Sequence, residues 1–307
     1  MISAIKRLLH NHIKTGLGAI WRAVLGCYEA VSISGVYRVK TDRPDESLMR
    51  CLDEVWLKNA PRIEGLDDLV AQVENLQKSR GLGILFRGAK PFPMNLIPKT
   101  FRKDGWTNYE YEICERFRAS APGRHNATPS FDDYVGWLTL MQHHGLPTRL
   151  LDWTESAFLA AYFATCTNYA GNPDRLIWVI SPLKMRMENA EVVRTTSSGD
   201  PGVESLASSA FEPKIEGLVD LDLGCVPFFP QQIAPRMMQQ QSVFTIHYKP
   251  EAIELRDKAH EYISVLVIPT KAVIPMRKAL DAIGIDESSL FPDLDNLAKR
   301  ISRNYDY

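Results

Sequence analysis

The sequence predicts an α+β fold built of small, split sheets flanked by helices. Two observations carry that expectation. Short apolar runs of strand composition recur along the chain, and segments with apolar residues at helical spacing lie between them. No internal repeat or heptad run interrupts this mixture.

The elements follow in order. Leu66, Leu69, Val70, Val73 and Leu76 share one face of a helix predicted over 64–78. Gly81 and Gly83 end it and launch a strand over 84–86. Pro91, Pro93 and Pro98 keep the next stretch irregular. Helices are predicted over 107–119 and 130–142, after which Gly145 and Pro147 introduce an extended run over 148–153. Thr154 is placed to cap a helix over 155–168, whose face is small and apolar: Ala157, Ala160, Ala161 and Ala164. Residues 176–180 and 262–268 read as strands, as does the second half of 236–246. Residues 194–217 are rich in Ser, Gly, Pro and Glu and read as a long loop or insertion. Helices over 270–283 and 292–303 complete the set.

The chain of 307 residues is long enough to bury a sizeable core. Lys and Arg number 36 against 37 Asp and Glu, a net charge of −1, so no global field points to nucleic acid or anionic lipid. The five cysteines are scattered, with no Cys-x-x-Cys pair. Reduced thiols in a cytoplasmic protein, without structural zinc, are the simple reading. A linker at 40–47 separates an N-terminal extension, 1–45, from the main domain, 46–307. In the extension Ile5, Leu8, Leu9, Ile13, Leu17, Ile20, Trp21, Val24 and Leu25 recur at helical spacing among basic residues. This predicts an amphipathic helix that packs on the domain or on a second copy, or docks on a partner or membrane surface. No run reaches the roughly 20 apolar residues of a spanning helix.

Two segments concentrate chemistry at the ends of apolar runs. Arg87-Gly88 follows the first strand. An arginine there suits bidentate binding of phosphate or carboxylate, or a structural salt bridge, and the glycine suits close approach of a ligand to the backbone. His143 and His144 stand where a helix meets a Gly-x-Pro turn and offer acid, base or hydroxyl-binding imidazoles, on different helix faces. No carboxylate lies at metal-motif spacing from them. Arg149 and Asp152 flank Leu150-Leu151; Asp152 can pair with Arg87, with Arg149 or with the local backbone. Thr148 and Thr154 bracket the run, Thr154 first as a cap. Arg236 and Gln240 form a third element; glutamine can orient a ligand but takes no proton at neutral pH. Neither a Walker-type or dinucleotide glycine loop nor a Gly-x-Ser-x-Gly elbow is present.

Taken together, Phe86-Arg87-Gly88, Leu96-Ile97-Pro98 with Arg102, and the run from His144 to Thr154 resemble the FRG domain family of bacteria and phages. The Ala160-Ala161-Tyr162-Phe163-Ala164 helix, Arg236 through Phe244, and Leu290 through Leu294 extend the resemblance over about residues 60 to 300. Ser242 stands where the family commonly has glycine.

The chain is also similar, more weakly, to ADP-ribosyltransferases of the arginine/serine/glutamate type. That similarity implies an ADP-ribosyltransferase-like core, with NAD as substrate and no metal. Arg87 would hold NAD, the 148–154 run with the Ala-rich helix would form the second element, and Gln240 would stand near the catalytic glutamate position. Together with the residue readings above, this gives a candidate site with Arg87, His144, Asp152 and Gln240 as catalytic residues. Arg87, Gly88, His143, Thr148, Arg149, Thr154 and Arg236 would bind the cofactor. The chain departs from the type in lacking Ser-Thr-Ser and the glutamate, leaving Glu204, Glu212 and Asp152 as candidate carboxylates. The expected roles are a slow toxin or phage-defence effector modifying a protein or nucleic acid, with an antitoxin or defence-system partner, or a non-catalytic nucleotide or nucleic-acid binding module.

Overall fold

The computed structural model describes residues 56–89, 96–102, 106–167, 173–188, 197–212, 224–231, 235–256 and 258–305. The chain divides into Met1–Ala60 and Pro61–Tyr307, and the second unit is the one described here. The amphipathic helix expected within 1–45, and that boundary itself, lie outside the described residues.

Helix α1 (Leu66–Arg80) leads through Gly81 and Gly83, both at positive φ, into strand β1 (Leu85–Ala89). A 3-10 turn (Lys99–Phe101) precedes α2 (Trp106–Ser120) and α3 (Tyr134–His143). Strand β2 (Leu150–Thr154) runs into α4 (Ala157–Thr165), and β3 (Arg175–Ile180) into α5 (Pro182–Glu188). After α6 (Pro201–Ser208) come β4 (Cys225–Phe228), α7 (Pro235–Gln239) and β5 (Ser242–His247). A second 3-10 turn (Ile253–Leu255) and α8 (Ala259–Tyr262) lead to β6 (Ile263–Ile268). Helices α9 (Thr270–Ala282), α10 (Glu287–Leu290) and α11 (Leu294–Asn304) follow.

The expected mixture of helices and strands is present, but the expected split into small sheets is not. The described strands form one six-stranded sheet in the order β4-β5-β2-β1-β3-β6, and every neighbour is antiparallel. The join at its centre is narrow. β1 pairs with β3 from Leu85↔Ile180 to Ala89↔Leu176, and β2 with β5 from Leu150↔Ile246 to Thr154↔Ser242. Between β1 and β2 the register is Phe86↔Thr154 alone.

Each half of the sheet has its own core. Phe86, Ile177, Val179, Leu266 and Ile268 pack with the alanines of α4 and with Val273 and Met276 of α9. Leu150, Phe244, Ile246, Val226 and Phe228 pack with Trp137, Leu138 and Met141 of α3 and with Val203 and Leu206 of α6. Burial on this scale, at about 25 cal/mol per Å² of apolar surface, is the main stabilising term.

Three local readings change. Thr154 does not cap α4: Ser156 does, accepting from the Leu159 amide, while Thr154 Oγ1 accepts from the Ser156 amide. The stretch 194–217 holds α6, started by Asp200, whose side chain accepts from Gly202 N, with Pro201 in the first turn. β4 was not anticipated because Pro227 lies within it. An edge strand tolerates the missing amide, and β4 is at the edge. Among the described residues no helix is long and apolar enough to cross a membrane.

Candidate functional site

The narrow join between β1 and β2 is where the polar side chains gather. One residue beyond the Phe86↔Thr154 pair, Arg87 Nη1 donates to the main-chain carbonyl of Asp152 at 2.6 Å and lies 3.6 Å from the Asp152 carboxylate. The Arg87 side chain is 19% exposed and that of Asp152 is 54% exposed. The guanidinium is therefore set into the protein while the carboxylate faces solvent. Arg87 Nε is buried with no hydrogen-bond partner, a state that costs about 1–3 kcal/mol and calls for a functional or solvent explanation. Burial lowers the Arg87 guanidinium's proton affinity, and the charges of Asp152 and Glu254 oppose that shift.

Asp152 is oriented from its other side. Gln142, at the end of α3, donates from Nε2 to Asp152 Oδ2 at 2.8 Å. Thr148 Oγ1 donates to Gln142 Oε1 at 2.6 Å and accepts from the Leu150 amide at 3.1 Å. This relay fixes which end of the Gln142 amide faces the carboxylate. The turn that carries Thr148 is pinned by the segment after β1: Thr100 N donates to Thr148 O, and Lys99 Nζ to Gly145 O.

The Asp152 charge favours the protonated form of Arg87, which it contacts, and acts at longer range on Arg102 and on Arg236, where Asp293 adds to it. Arg236 lies over the Phe291 ring, 4.5 Å from its centroid. Burial and the neighbouring Arg236 charge push the His143 imidazole below its ordinary range, with smaller contributions from His144 and His125. His144 is exposed; its ring meets His143 at 5.1 Å and His125 at 6.4 Å, both edge to face. Among the described residues no group of three or more His, Cys, Asp or Glu is placed to hold a metal ion.

Other sequence candidates are placed differently. Gly88 faces α4 rather than a ligand: a Cβ there would collide with the Ala160 carbonyl and the Ala164 amide. The glycine and the alanines of α4 together permit close packing of helix on strand. Arg149 is buried and committed to Glu110, with Nε–Oε1 at 3.0 Å and Nη2–Oε2 at 2.7 Å. It also donates to the Leu206 carbonyl and to Ser209 Oγ, so it ties β2 to α2 and α6 and takes no part in the Arg87 cluster. Gln240 donates to the Leu290 carbonyl at 3.3 Å, linking the end of α7 to α10. Thr154 is buried at the β1–β2 join. Glu204 lines a separate cavity of about 380 Å³ with Asp132, Asp133 and Thr139, beside the N-terminal half of α3, whereas Gln142 sits at that helix's other end.

Gln142, Arg102 and Glu254 were assigned no role from the sequence. Gln142 stands at the head of the His-His-Gly-x-Pro string, and a polar residue there facing a turn threonine was the available signal. Glu254 is buried and accepts from the Leu96 amide; nothing local in its sequence marks it.

Residues 83–172 match the family model of the FRG domain. The matched span contains Arg87, Gly88, His143, His144, Thr148, Arg149, Asp152 and Thr154. It stops ahead of Arg236 and Gln240 and is shorter than the extent of about 60 to 300 that the motifs suggest. No curated protein and no solved structure matches the chain.

Proposed function

Because the chain carries an FRG domain over residues 83–172, we propose that this domain is an NAD-using, ADP-ribosyltransferase-like effector that modifies a macromolecule in a toxin or phage-defence setting. The observation that carries the reading is the Arg87–Asp152 pair: a set-in guanidinium beside a solvent-facing carboxylate. Support also comes from the sheet order. The strands bearing the aromatic-Arg-Gly motif, the run into the Ala-rich helix and the segment after Gln240 are β1, β2 and β5, which are neighbours.

In this reading Arg87 holds the phosphorylated part of NAD, and Asp152 supplies the anion that a glutamate supplies elsewhere. The bond from ribose C1′ to the nicotinamide nitrogen breaks, and nicotinamide leaves with the electron pair. The oxocarbenium charge that develops is stabilised by the Asp152 carboxylate. A nucleophilic oxygen or nitrogen of the acceptor bonds to C1′, and its proton passes to Asp152. Because Asp152 is already paired with Arg87, its charge is partly offset, and a slow rate is expected.

The test is nicotinamide release, together with transfer of adenylate-labelled NAD onto macromolecules in a cell extract. Wild type should turn over, and in Arg87→Ala and Asp152→Asn turnover should fall by about 10²–10³-fold. Absence of turnover in wild type overturns the transferase reading.

A second reading, a nucleotide-binding module without turnover, is favoured by one observation. Gln240, near the position where the glutamate is expected, has its amide bound to the Leu290 carbonyl. That reading predicts stabilisation of the fold by a nucleotide in the absence of chemistry.

A further inference from the structure

The cavity beside the N-terminal half of α3 has no part in the Arg87 cluster. It measures about 380 Å³ and lies between the start of α3 and the start of α6, with Ser198 and Gln231 also on its wall. That volume falls within the range of about 300–1,000 Å³ usual for small-molecule sites. Three carboxylates line it: Asp132 and Asp133 from the turn into α3, and Glu204 from the first turn of α6. Among the described residues no Lys, Arg or His lines the cavity, and none of the three carboxylates forms an ion pair. Asp133 is partly committed, because its Oδ1 accepts from the Gly136 amide at 2.8 Å and caps α3. Burial, with the Asp133 charge adding to it, pushes the Glu204 carboxyl above its ordinary range. Like charges sharing a site repel unless a cation lies among them.

A neutral group supplies a second, independent observation. Thr139 is on the cavity wall and 2% exposed, and its hydroxyl is buried with no hydrogen-bond partner among the described residues. A helical threonine can turn its hydroxyl to the carbonyl one turn back; this one does not. A buried hydroxyl left unpaired destabilises the fold unless something else satisfies it. A donor brought into the cavity supplies that partner.

The lining narrows the ligand. Among the described residues no group of three or more His, Cys, Asp or Glu is placed to hold a metal ion, so the carboxylates do not converge on one point. Separated carboxylates suit separated charges on one molecule. No aromatic ring lines the cavity among the described residues, so the cage that recognises fully methylated ammonium is missing. The carboxylates and the free hydroxyl are acceptors, and they call for charged N–H donors.

We propose that this cavity binds a free aliphatic diamine or polyamine, whose ammonium groups pair with Asp132, Asp133 and Glu204 while one N–H donates to the Thr139 hydroxyl. The site is separate from Arg87 and Asp152, and the proposal stands whether or not the domain uses NAD.

The experiment is calorimetric titration of the full chain with putrescine, spermidine and a short lysine-containing peptide, in wild type, Glu204→Gln and Thr139→Val. Tetramethylammonium and Mg²⁺ at matched ionic strength are the controls. Wild type should bind both free amines saturably, spermidine more tightly. Glu204→Gln should weaken spermidine by about tenfold. Thr139→Val keeps the side chain's shape and removes the unpaired hydroxyl. It should weaken the amines several-fold while leaving the thermal midpoint of the ligand-free chain unchanged or raised. That combination separates a ligand contact from a structural role, and it carries the test should Glu204→Gln not fold. Absence of saturable binding overturns the proposal, as does tetramethylammonium or Mg²⁺ binding as tightly as spermidine, or wild-type affinity in either variant. Binding of the peptide without binding of the free amines assigns the cavity to a protein side chain and overturns the proposal too.

Discussion

Arg87 and Asp152 meet twice, once through the Asp152 main-chain carbonyl at 2.6 Å and once through its carboxylate at 3.6 Å. The shorter contact is to the backbone, so the guanidinium is held in place even when the carboxylate changes. This separates two roles that a simple ion pair would confound. Asp152→Asn should leave Arg87 in position, lower nicotinamide release by about 10²–10³-fold, and leave ADP-ribose affinity equal or higher, because one negative charge facing the phosphates is gone. Arg87→Ala should lower both. Titration and turnover measured on the same two variants check this; a parallel loss of affinity in Asp152→Asn would refute the separation.

Thr148 acts on Asp152 through Gln142. Thr148→Val removes the hydroxyl that donates to Gln142 Oε1 and frees the amide to flip. The expected stability cost is about 1 kcal/mol. Turnover should fall several-fold with little change in NAD affinity, and Thr148→Ser should restore it. A variant that loses stability but no turnover would leave Thr148 with a structural part only.

Glu110 and Arg149 form a buried pair with two hydrogen bonds between them. Removing one partner strands the other charge, so Glu110→Ala should cost about 3–5 kcal/mol in urea unfolding. The double change Glu110→Leu with Arg149→Met should recover much of that loss. If the single variant costs under about 1 kcal/mol, the pair is not sealed from water.

His247 gives a pH dependence of known sign. It is buried, with Nε2 at 3.0 Å from Thr245 Oγ1, which also accepts from Trp153 Nε1. Burial, aided by the charges of Arg256 and Arg87, pushes its imidazole down to about 3 from the ordinary 6.5. Between those values the unfolded chain binds a proton that the folded chain refuses. The stability contributed is therefore fully present above about 6.5 and lost as pH falls toward about 3, at up to about 1.4 kcal/mol per pH unit. Urea midpoints between pH 7 and pH 4 should fall less steeply in His247→Gln than in wild type. Identical slopes would remove His247 from the acid response.

The sequence made some of this arrangement legible and concealed the rest for identifiable reasons. Arg87 and Asp152 stood out in the sequence as polar residues set against apolar runs, but the strand expected over 84–86 is β1 (Leu85–Ala89), so Arg87 lies in mid-strand rather than past a strand end, as Asp152 does in β2 (Leu150–Thr154). Arg149 looked equivalent to them; only Glu110, far away in the chain, distinguishes it, and a bidentate partner at that separation leaves no local trace. Gly88 was read toward a ligand, when its reason is the packing of α4, which is known only once helix and strand are seen together. Pro227 concealed β4, since the tolerance of an edge for proline depends on strand order. Asp200-Pro201 is a good helix start that a stretch otherwise rich in Ser and Gly obscured.

The meeting of β1 and β2 at Phe86↔Thr154 has a mechanical consequence. Each side of that seam carries its own apolar core, and local opening under denaturant is expected to begin between them, which hydrogen exchange at the β1 and β2 amides checks. On the proposed reading, a molecule bound by Arg87 from β1 and by residues of the β2 side would act there as a rivet, tying the fate of one half of the sheet to that of the other.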